Sequence, residues 1–366
     1  MAPQRERGTD EVPQQGALGG VGRVVLFTVL LIVALEFALQ VRSHVREGQS
    51  VFNLFTQQTR YVFNPDLGVK TLRPASSLVG SKITIDTNAF GLRSPEIPLE
   101  REPHSFRMAV VGASSVMGEM APSNEATFAY ILERKLRISH PGARIDVINA
   151  GISGHRLADQ RMMIESVVQA QQPDLIVLYS GFNDFADYCR RESGEREARG
   201  LPALKMPDWV LSIEAIKRHT RPLRPAVERA AVISPEKVDL EHYRGELRRL
   251  AELTRARGVL LLLVTNAKAY GRTLPVAEQQ RLAADPMRFA PCFDLDGMLT
   301  LYELHNDLIR QAGEQHGVPV LDLSALLPEG MDYFVDATHF NPEGEERVAQ
   351  YLHDFMIANE LVVLRK

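Results

Sequence analysis

Four short segments of this chain carry side chains that could attack a carbonyl or hold the negative charge that such an attack creates. The first is Val110-Val111-Gly112-Ala113-Ser114-Ser115-Val116-Met117-Gly118, an apolar run that enters a turn of small residues and then heads into a helix. A serine placed there is exposed at a sheet edge with helix-start N–H groups around it, which suits an oxygen nucleophile. An ordinary Gly/Ser-rich β-α turn reads the same way when taken alone. The second segment, Asn149-Ala150-Gly151-Ile152-Ser153-Gly154, ends a strand in glycines, and Gly154 could bring a bare backbone N–H close to a substrate oxygen; a tight turn is its plainer reading. The third, Tyr179-Ser180-Gly181-Phe182-Asn183-Asp184, offers the Asn183 amide as a further donor, although Asn-Asp is also a common turn and cap pair. The fourth, Val335-Asp336-Ala337-Thr338-His339-Phe340-Asn341-Pro342, puts an acid three residues before a histidine and ahead of a helix that Asn341 can cap. The carboxylate could accept from one imidazole nitrogen while the other faces a serine, which fixes the tautomer and stabilises the imidazolium.

These segments need a scaffold that brings them to one edge. Short apolar runs alternate with amphipathic helical stretches, the pattern of a parallel sheet covered on both faces. The strands are expected at Phe106–Val111, Ile145–Asn149, Leu175–Tyr179, Val259–Val264 and Val318–Leu323. Helices are expected at about Glu125–Ile138, Leu157–Gln171, Leu240–Arg257, Leu299–Gln315 and Pro342–Ile357, giving five β-α units of one doubly wound α/β domain. Each chemical segment then falls just after a strand or near the end of the sheet order, and ligands of open α/β sheets bind at that carboxyl edge. Two inserts should border the site: about 185–238, which contains Trp209 and several prolines, and about 268–296.

Ahead of this domain the chain changes character. Residues 1–22 are rich in Pro, Gly, Gln and charge and are expected to be a disordered tail. Val24–Val41 then runs 18 residues between Arg23 and Arg42 with Glu36 as its only charge, just long enough to span a hydrocarbon core of roughly 30 Å. A single spanning anchor over 23–42 is the favoured reading. A cleaved signal peptide and a buried core helix are the alternatives, and Ala34-Leu35-Glu36 makes a poor cleavage site. Arg5, Arg7 and Arg23 before the run, against Arg42 and Arg46 after it, favour the N-terminus inside and the large domain periplasmic or extracellular. Residues 43–100 read as a linker and a β-rich prelude. In it, Lys82-Ile83-Thr84-Ile85-Asp86 looks like a strand entering a turn at Asn88-Ala89-Phe90-Gly91, and the main domain occupies 101–362.

Composition narrows the partners. A net charge of -4 with both signs interspersed gives no broad basic field, so nucleic acid is not an expected partner. A hydrophobic content of 45% is ample for a buried core. Cys189 and Cys292 are the only cysteines, too few for a disulfide framework or a thiolate metal cluster, and whether the two pair is open at this point. The histidines other than His339, including His155, are expected on the solvated surface.

Taken in order, Ser, Gly, Asn and Asp-x-x-His, the four segments resemble the conserved blocks of the SGNH/GDSL hydrolase family, over most of residues 106 to 357. The resemblance implies the SGNH hydrolase fold, a flavodoxin-like parallel sheet of five strands. It also implies Ser114 as nucleophile, flanked by Gly112 and Gly118, with Asp336 and His339 completing the triad. Ser114, Gly154 and Asn183 would form the oxyanion hole, and Ser115 is the register alternative for the nucleophile. No metal or organic cofactor is implied. Ala113 stands where the name-giving motif has Asp, which reads as a feature of members with an N-terminal anchor. The segment Thr87-Asn88-Ala89-Phe90-Gly91-Leu92-Arg93 is similar to the one preceding the catalytic domain in bacterial membrane-anchored members. The implied activity is a serine esterase acting on O-acetyl or short acyl esters of a small molecule, carbohydrate or lipid. An O-acyltransferase modifying a cell-surface polysaccharide and a silent, membrane-anchored carbohydrate-binding protein are the alternatives.

Overall fold

The computed structural model describes residues 17–47, 60–65, 67–79, 83–192 and 232–365. The chain divides into two packing units, Met1–Gln57 with Lys205–Leu223, and Gln58–Leu204 with Arg224–Lys366. Of the first, the description covers helix α1 (Ala17–Glu47). Within it Gly22–Arg42, 21 residues of mean hydropathy 2.6, is long and apolar enough to cross a membrane. Val24, Phe27 and Leu31 are exposed, so the helix is not a packed core element. The helix also takes in residues 17–22, which were expected to belong to the disordered tail; residues 1–16 of that tail lie outside the described residues, as does Lys82 of the expected prelude strand. Much of the first expected insert, including Trp209, also lies outside them.

The second unit opens with two antiparallel hairpins, β1 (Tyr61–Asn64) with β2 (Val69–Leu72) and β3 (Ser77–Val79) with β4 (Thr84–Asp86). After β4, the Asn88 side chain accepts from the N–H groups of Phe90 (3.0 Å) and Leu92 (3.1 Å). That Asx turn delivers Arg93 to the interior.

The main sheet is wholly parallel and has the order β6 (Arg144–Gly151), β5 (Ser105–Gly112), β7 (Leu175–Tyr179), β8 (Leu260–Val264), β9 (Val320–Leu321). In sheet-strand numbering this is 2-1-3-4-5, the flavodoxin-like order, whose direction of winding reverses between β5 and β7. Side chains alternate between two cores, as the pleat requires. Phe106, Met108, Val110, Val177 and Leu262 face one core, and Ala109, Val111, Ile176, Leu178 and Leu263 face the other. The first core is closed by α3 (Phe128–Ser139), α7 (Val276–Phe289) and α10 (Pro342–Ala358). The second is closed by α4 (Leu157–Met163), α6 (Glu241–Ala256) and the prelude residues Leu72, Ile85 and Leu92. Helix α8 (Leu295–His316) reaches both cores, with Met298 and Tyr302 in the first and Leu308 and Ile309 in the second.

Four elements differ from the sequence reading in form. The helix expected over Leu157–Gln171 is α-helical only to Met163 and goes on as a π turn over Ile164–Val168. The last strand contracts to two residues because Pro319 has no N–H and Val318 donates back to Gly313 O. The helix expected from Glu125 breaks at Thr127, whose ψ of 146° is extended, so α3 begins at Phe128. Helix α5 (Phe185–Glu192) follows β7 closely, so the first insert starts as a helix. Two histidines expected at the surface are buried: His155, whose Nε2 is 2.7 Å from Lys70 O, and His305, paired with the Tyr188 hydroxyl at 2.8 Å. Each ring finds a polar partner inside, and burial pushes His305 down to about 3, so it is neutral.

The two sulfurs are joined as a Cys189–Cys292 disulfide, which ties α5 to the segment between α7 and α8 across 103 residues.

Glu345, in the first turn of α10, is buried and accepts the Phe128 N–H at 2.7 Å, joining two helices of the first core. Burial outweighs that bond and the Arg93 charge and pushes its carboxyl up to about 8 from 4.5. The native state therefore keeps a proton that the unfolded chain has lost, and this residue's contribution to stability falls as pH rises between those two values. Glu345→Gln keeps an acceptor for Phe128 without the charge. Its melting temperature relative to wild type should climb steadily from pH 5 to pH 9, and a pH-independent difference would contradict the assignment.

Candidate active site

Strand register sets the site. Gly112 pairs with Gly151 on one side and Tyr179 on the other, so β5, β6 and β7 end abreast and the three loops that follow them open on one edge. The chain packs tightly there. A Cβ on Gly112 would stand 2.4 Å from Tyr179 O, and one on Gly151 would stand 2.1 Å from Met117 N. Neither position has room for a side chain, because helix α2 (Ser114–Met117) is seated directly on the strand ends. Gly118, at φ 72°, ends that single turn in the left-handed region.

Ser114 is the first residue of α2. Its Oγ is 2.8 Å from His339 Nε2, and His339 Nδ1 is 2.7 Å from Asp336 Oδ2. The other Asp336 oxygen accepts the backbone N–H groups of Thr338 and His339, both at 2.9 Å, so the loop holds its own carboxylate in place. Burial works against the Asp336 charge, but the His339 imidazole and these two N–H bonds outweigh it and keep the carboxyl below its usual range. The loop is closed by Val335 N–H donating to His339 O at 2.9 Å and by Phe340, whose ring packs against Phe128, Tyr179 and Phe334. Asn341 then caps α10 by accepting from Gly344 N at 2.8 Å. Ser115, the register alternative, turns its hydroxyl onto Thr338 O at 3.0 Å and so fastens α2 to the histidine loop.

Of the two remaining expected residues, only Asn183 is among those lining the cleft at Ser114. Asn183 lines the same cleft as Ser114, a solvent-open space of about 360 Å³, and gives one of its two amide hydrogens to His155 O at 3.0 Å, leaving the other. Gly154 lies on the exposed turn after β6 at φ 79°. Among the described residues the N–H groups of Ser114 and Gly154 have no acceptor. The far wall of the cleft is built by Ser180, Asn266, Ala267 and Tyr302, and the Ser180 hydroxyl is buried without a partner. Sequence patterning did not single out Asn266 or Tyr302, which reach the cleft only through tertiary packing. Among the described residues no group of three His, Cys, Asp or Glu side chains could hold a metal ion. Chemically, a hydroxyl hydrogen-bonded to an oriented imidazole can be deprotonated as it attacks.

Beneath α2 lies a buried arginine. Arg93 Nε donates to Asn124 Oδ1 (2.8 Å), Nη1 to Met117 O (2.9 Å) and Gly118 O (2.6 Å), and Nη2 to Thr84 O (3.0 Å) and Ala121 O (3.2 Å). Burial pushes it down to about 10, which leaves it charged at neutral pH. The prelude thus grips the carbonyl end of the nucleophile's helix.

The profile of the GDSL-like lipase/acylhydrolase family matches residues 110–347. No curated protein matches the chain. Among solved structures it is similar to a lipase/acylhydrolase from Enterococcus faecalis, at 15% identity over 71% of this chain and 99% of that one, with a TM-score of 0.44. It is similar also to the acetyl xylan esterase AlAXEase, at 14% identity over 68% and 99%, TM-score 0.44. The acetylxylan esterase Axe2 from Geobacillus stearothermophilus aligns at 18% identity over 68% and 92%, TM-score 0.43.

Replacing Arg93 by Met would remove one donor from each of four carbonyls and from the Asn124 side chain, at a cost of about 3 kcal/mol in stability. It should also slow labelling of Ser114 by a fluorophosphonate by about tenfold below the melting temperature, with Arg93→Lys intermediate in both. Undiminished labelling of a folded Arg93→Met protein would show that the arginine does not position the serine.

Proposed function

This chain belongs to the GDSL-like lipase/acylhydrolase family and is a hydrolase of ester bonds, and we propose that it cleaves O-acetyl or other short acyl esters through an acyl-enzyme on Ser114. The observation that carries the reading is the continuous hydrogen-bonded run from Ser114 Oγ through His339 to Asp336. Ser114 Oγ attacks the ester carbonyl while His339 Nε2 takes its proton, and Asp336 holds the imidazole by Nδ1 and stabilises its charged form. The oxyanion is held by the Ser114 and Gly154 N–H groups and by the second Asn183 amide hydrogen. Collapse expels the alcohol, protonated by His339; a water deprotonated by the same nitrogen then attacks the acyl carbon and releases the carboxylate and free Ser114. A cleft walled by Tyr179, Tyr302 and Phe182 favours a short acyl group on a carbohydrate or lipid alcohol.

Helix α1 is, in this reading, a single-pass membrane anchor with the hydrolase domain periplasmic or extracellular. A disulfide between Cys189 and Cys292 supports the location, because such bridges persist outside the reducing cytosol. The arginines before the apolar run favour the same orientation.

Two experiments test these proposals. With p-nitrophenyl acetate, His339→Ala should lose on the order of 10⁴ to 10⁶ in kcat, close to Ser114→Ala, while Asp336→Ala should lose ten- to a hundredfold less. The Asp336/His339 double variant should be scarcely worse than His339→Ala alone. Additive losses, or acetyl found on an added glycan acceptor in place of free acetate, would overturn the triad or the hydrolytic outcome respectively. For the anchor, full-length protein should remain in membranes through alkaline carbonate washing, and a fragment starting near residue 45 should not. A mature protein beginning after residue 36 would point to a cleaved signal instead.

A further inference from the structure

The first hairpin places a cation with no ion pair over the loop after β6, which bears the proposed oxyanion donor Gly154. Lys70, on β2, reaches across the loop after β6, and its Nζ lies 3.1 Å from the point that a Cβ on Gly154 would occupy. It stands over the ring of Tyr61 at 4.7 Å from the centroid. The backbone beneath it is fixed, because Lys70 O is bonded by His155 Nε2 at 2.7 Å. Two carboxylates are close enough to act on the ammonium, but each is held by another residue. Glu119 pairs with Arg60 at 2.6 Å and accepts the Ser153 hydroxyl, and Asp159 pairs with Arg156 at 3.1 Å. Among the described residues Lys70 Nζ has no hydrogen bond or ion pair of its own. Half-burial lowers its pKa, while Glu119 and Asp159 pull it back up. Desolvating an ammonium that has no ion pair is unfavourable and the Tyr61 ring offsets only part of that cost, so a half-buried ammonium beside an exposed glycine turn has room for a counter-charge brought by a ligand.

We infer that Lys70 forms a subsite for a carboxylate carried by the substrate next to its scissile ester, so that the preferred substrates are O-acylated acidic sugars. The inference rests on the esterase reading of the Ser114 site. One ammonium on a flexible stem balances one negative charge, whereas a phosphate dianion calls for a fork of donors; the neighbouring Arg60 guanidinium is paired through Nη1 with Glu119. Lys70 would thus set which ester is presented to Ser114, while the chemistry stays with the triad.

The test compares fully O-acetylated methyl glucuronoside with the corresponding neutral methyl glucoside on full-length protein in detergent, reading kcat and KM for each, with lysophosphatidylglycerol as a third substrate. Wild type should prefer the uronate by about tenfold or more in kcat/KM, chiefly through KM. Lys70→Met should abolish that preference, Lys70→Arg should keep most of it, and added salt should weaken it. A preference unchanged in Lys70→Met overturns the subsite, as does a loss confined to the lysophospholipid, which would assign it to phosphate. Turnover of p-nitrophenyl acetate with no preference between the glycosides sinks the subsite alone. An enzyme inert toward every ester and unlabelled by fluorophosphonate sinks the esterase reading and the subsite with it.

Discussion

The site depends on a steric constraint at two glycines. Gly112 and Gly151 end adjacent parallel strands in register, and each is pressed against something that leaves no room for a Cβ: Tyr179 O in one case, the backbone of α2 in the other. Because α2 rests on bare backbone, its position is fixed by main-chain atoms, which cannot hop between rotamers. Ser114 inherits that precision as the first residue of the turn. The same register brings the loops bearing Gly154 and Asn183 to the edge where the winding of the sheet reverses, the general ligand position of such sheets.

Around this backbone frame, charge is used sparingly and inside. Arg93 is buried with its donors directed at carbonyl oxygens at the end of α2 and in the loop after it, where helix termini leave acceptors unsatisfied. Its burial is tolerable because all its donor nitrogens are bonded; an arginine lacking even part of that set would be a large liability. Glu345, buried in the first turn of α10, supplies Phe128 with an acceptor, and its burial, against that bond, makes it easier to protonate. The prelude is therefore part of the domain's electrostatics as well as of its core, since Leu72, Ile85 and Leu92 fill the second face beside it.

Much of this was legible in the residues. Strands buried on both faces read as continuous apolar runs, so β7 was placed to the residue and β5, β6 and β8 to within one or two. The last strand was overextended because apolar content alone cannot register that Pro319 lacks a donor and that Val318 is drawn back to Gly313. The chemical segments stood out because each joins a strand end to small or polar residues, and the register of the sheet then brings them together. What stayed hidden was whatever depends on contacts distant in sequence. Asn266 and Tyr302 in the cleft wall, His155 under the first hairpin and His305 against Tyr188 carry no local pattern that separates them from surface residues. The Cys189–Cys292 pairing belongs to the same class, since a count of two cysteines permits a bridge but cannot bring the sulfurs together.

Ala113, where the family's name-giving motif has an acid, can be understood from the same geometry. It occupies the cap position of α2, with φ -103° and ψ -143°, makes no side-chain cap bond, and lines the cleft beside Ser114. An aspartate at a cap normally accepts an N–H of the first turn, and it would stabilise this short helix by on the order of 1 kcal/mol. It would also place a negative charge next to the point where the proposed oxyanion develops, which works against the donors there. With Ala113 the helix forgoes the cap, and its seat on Gly151 and the Arg93 bonds to its carbonyl end take over the task of holding it. The N–H of Ser114 has no acceptor among the described residues, and a capping side chain at 113 would engage the second or third N–H of the helix instead. None of the groups proposed for catalysis is lost by the substitution, because the acid of the proposed triad, Asp336, comes from a different loop.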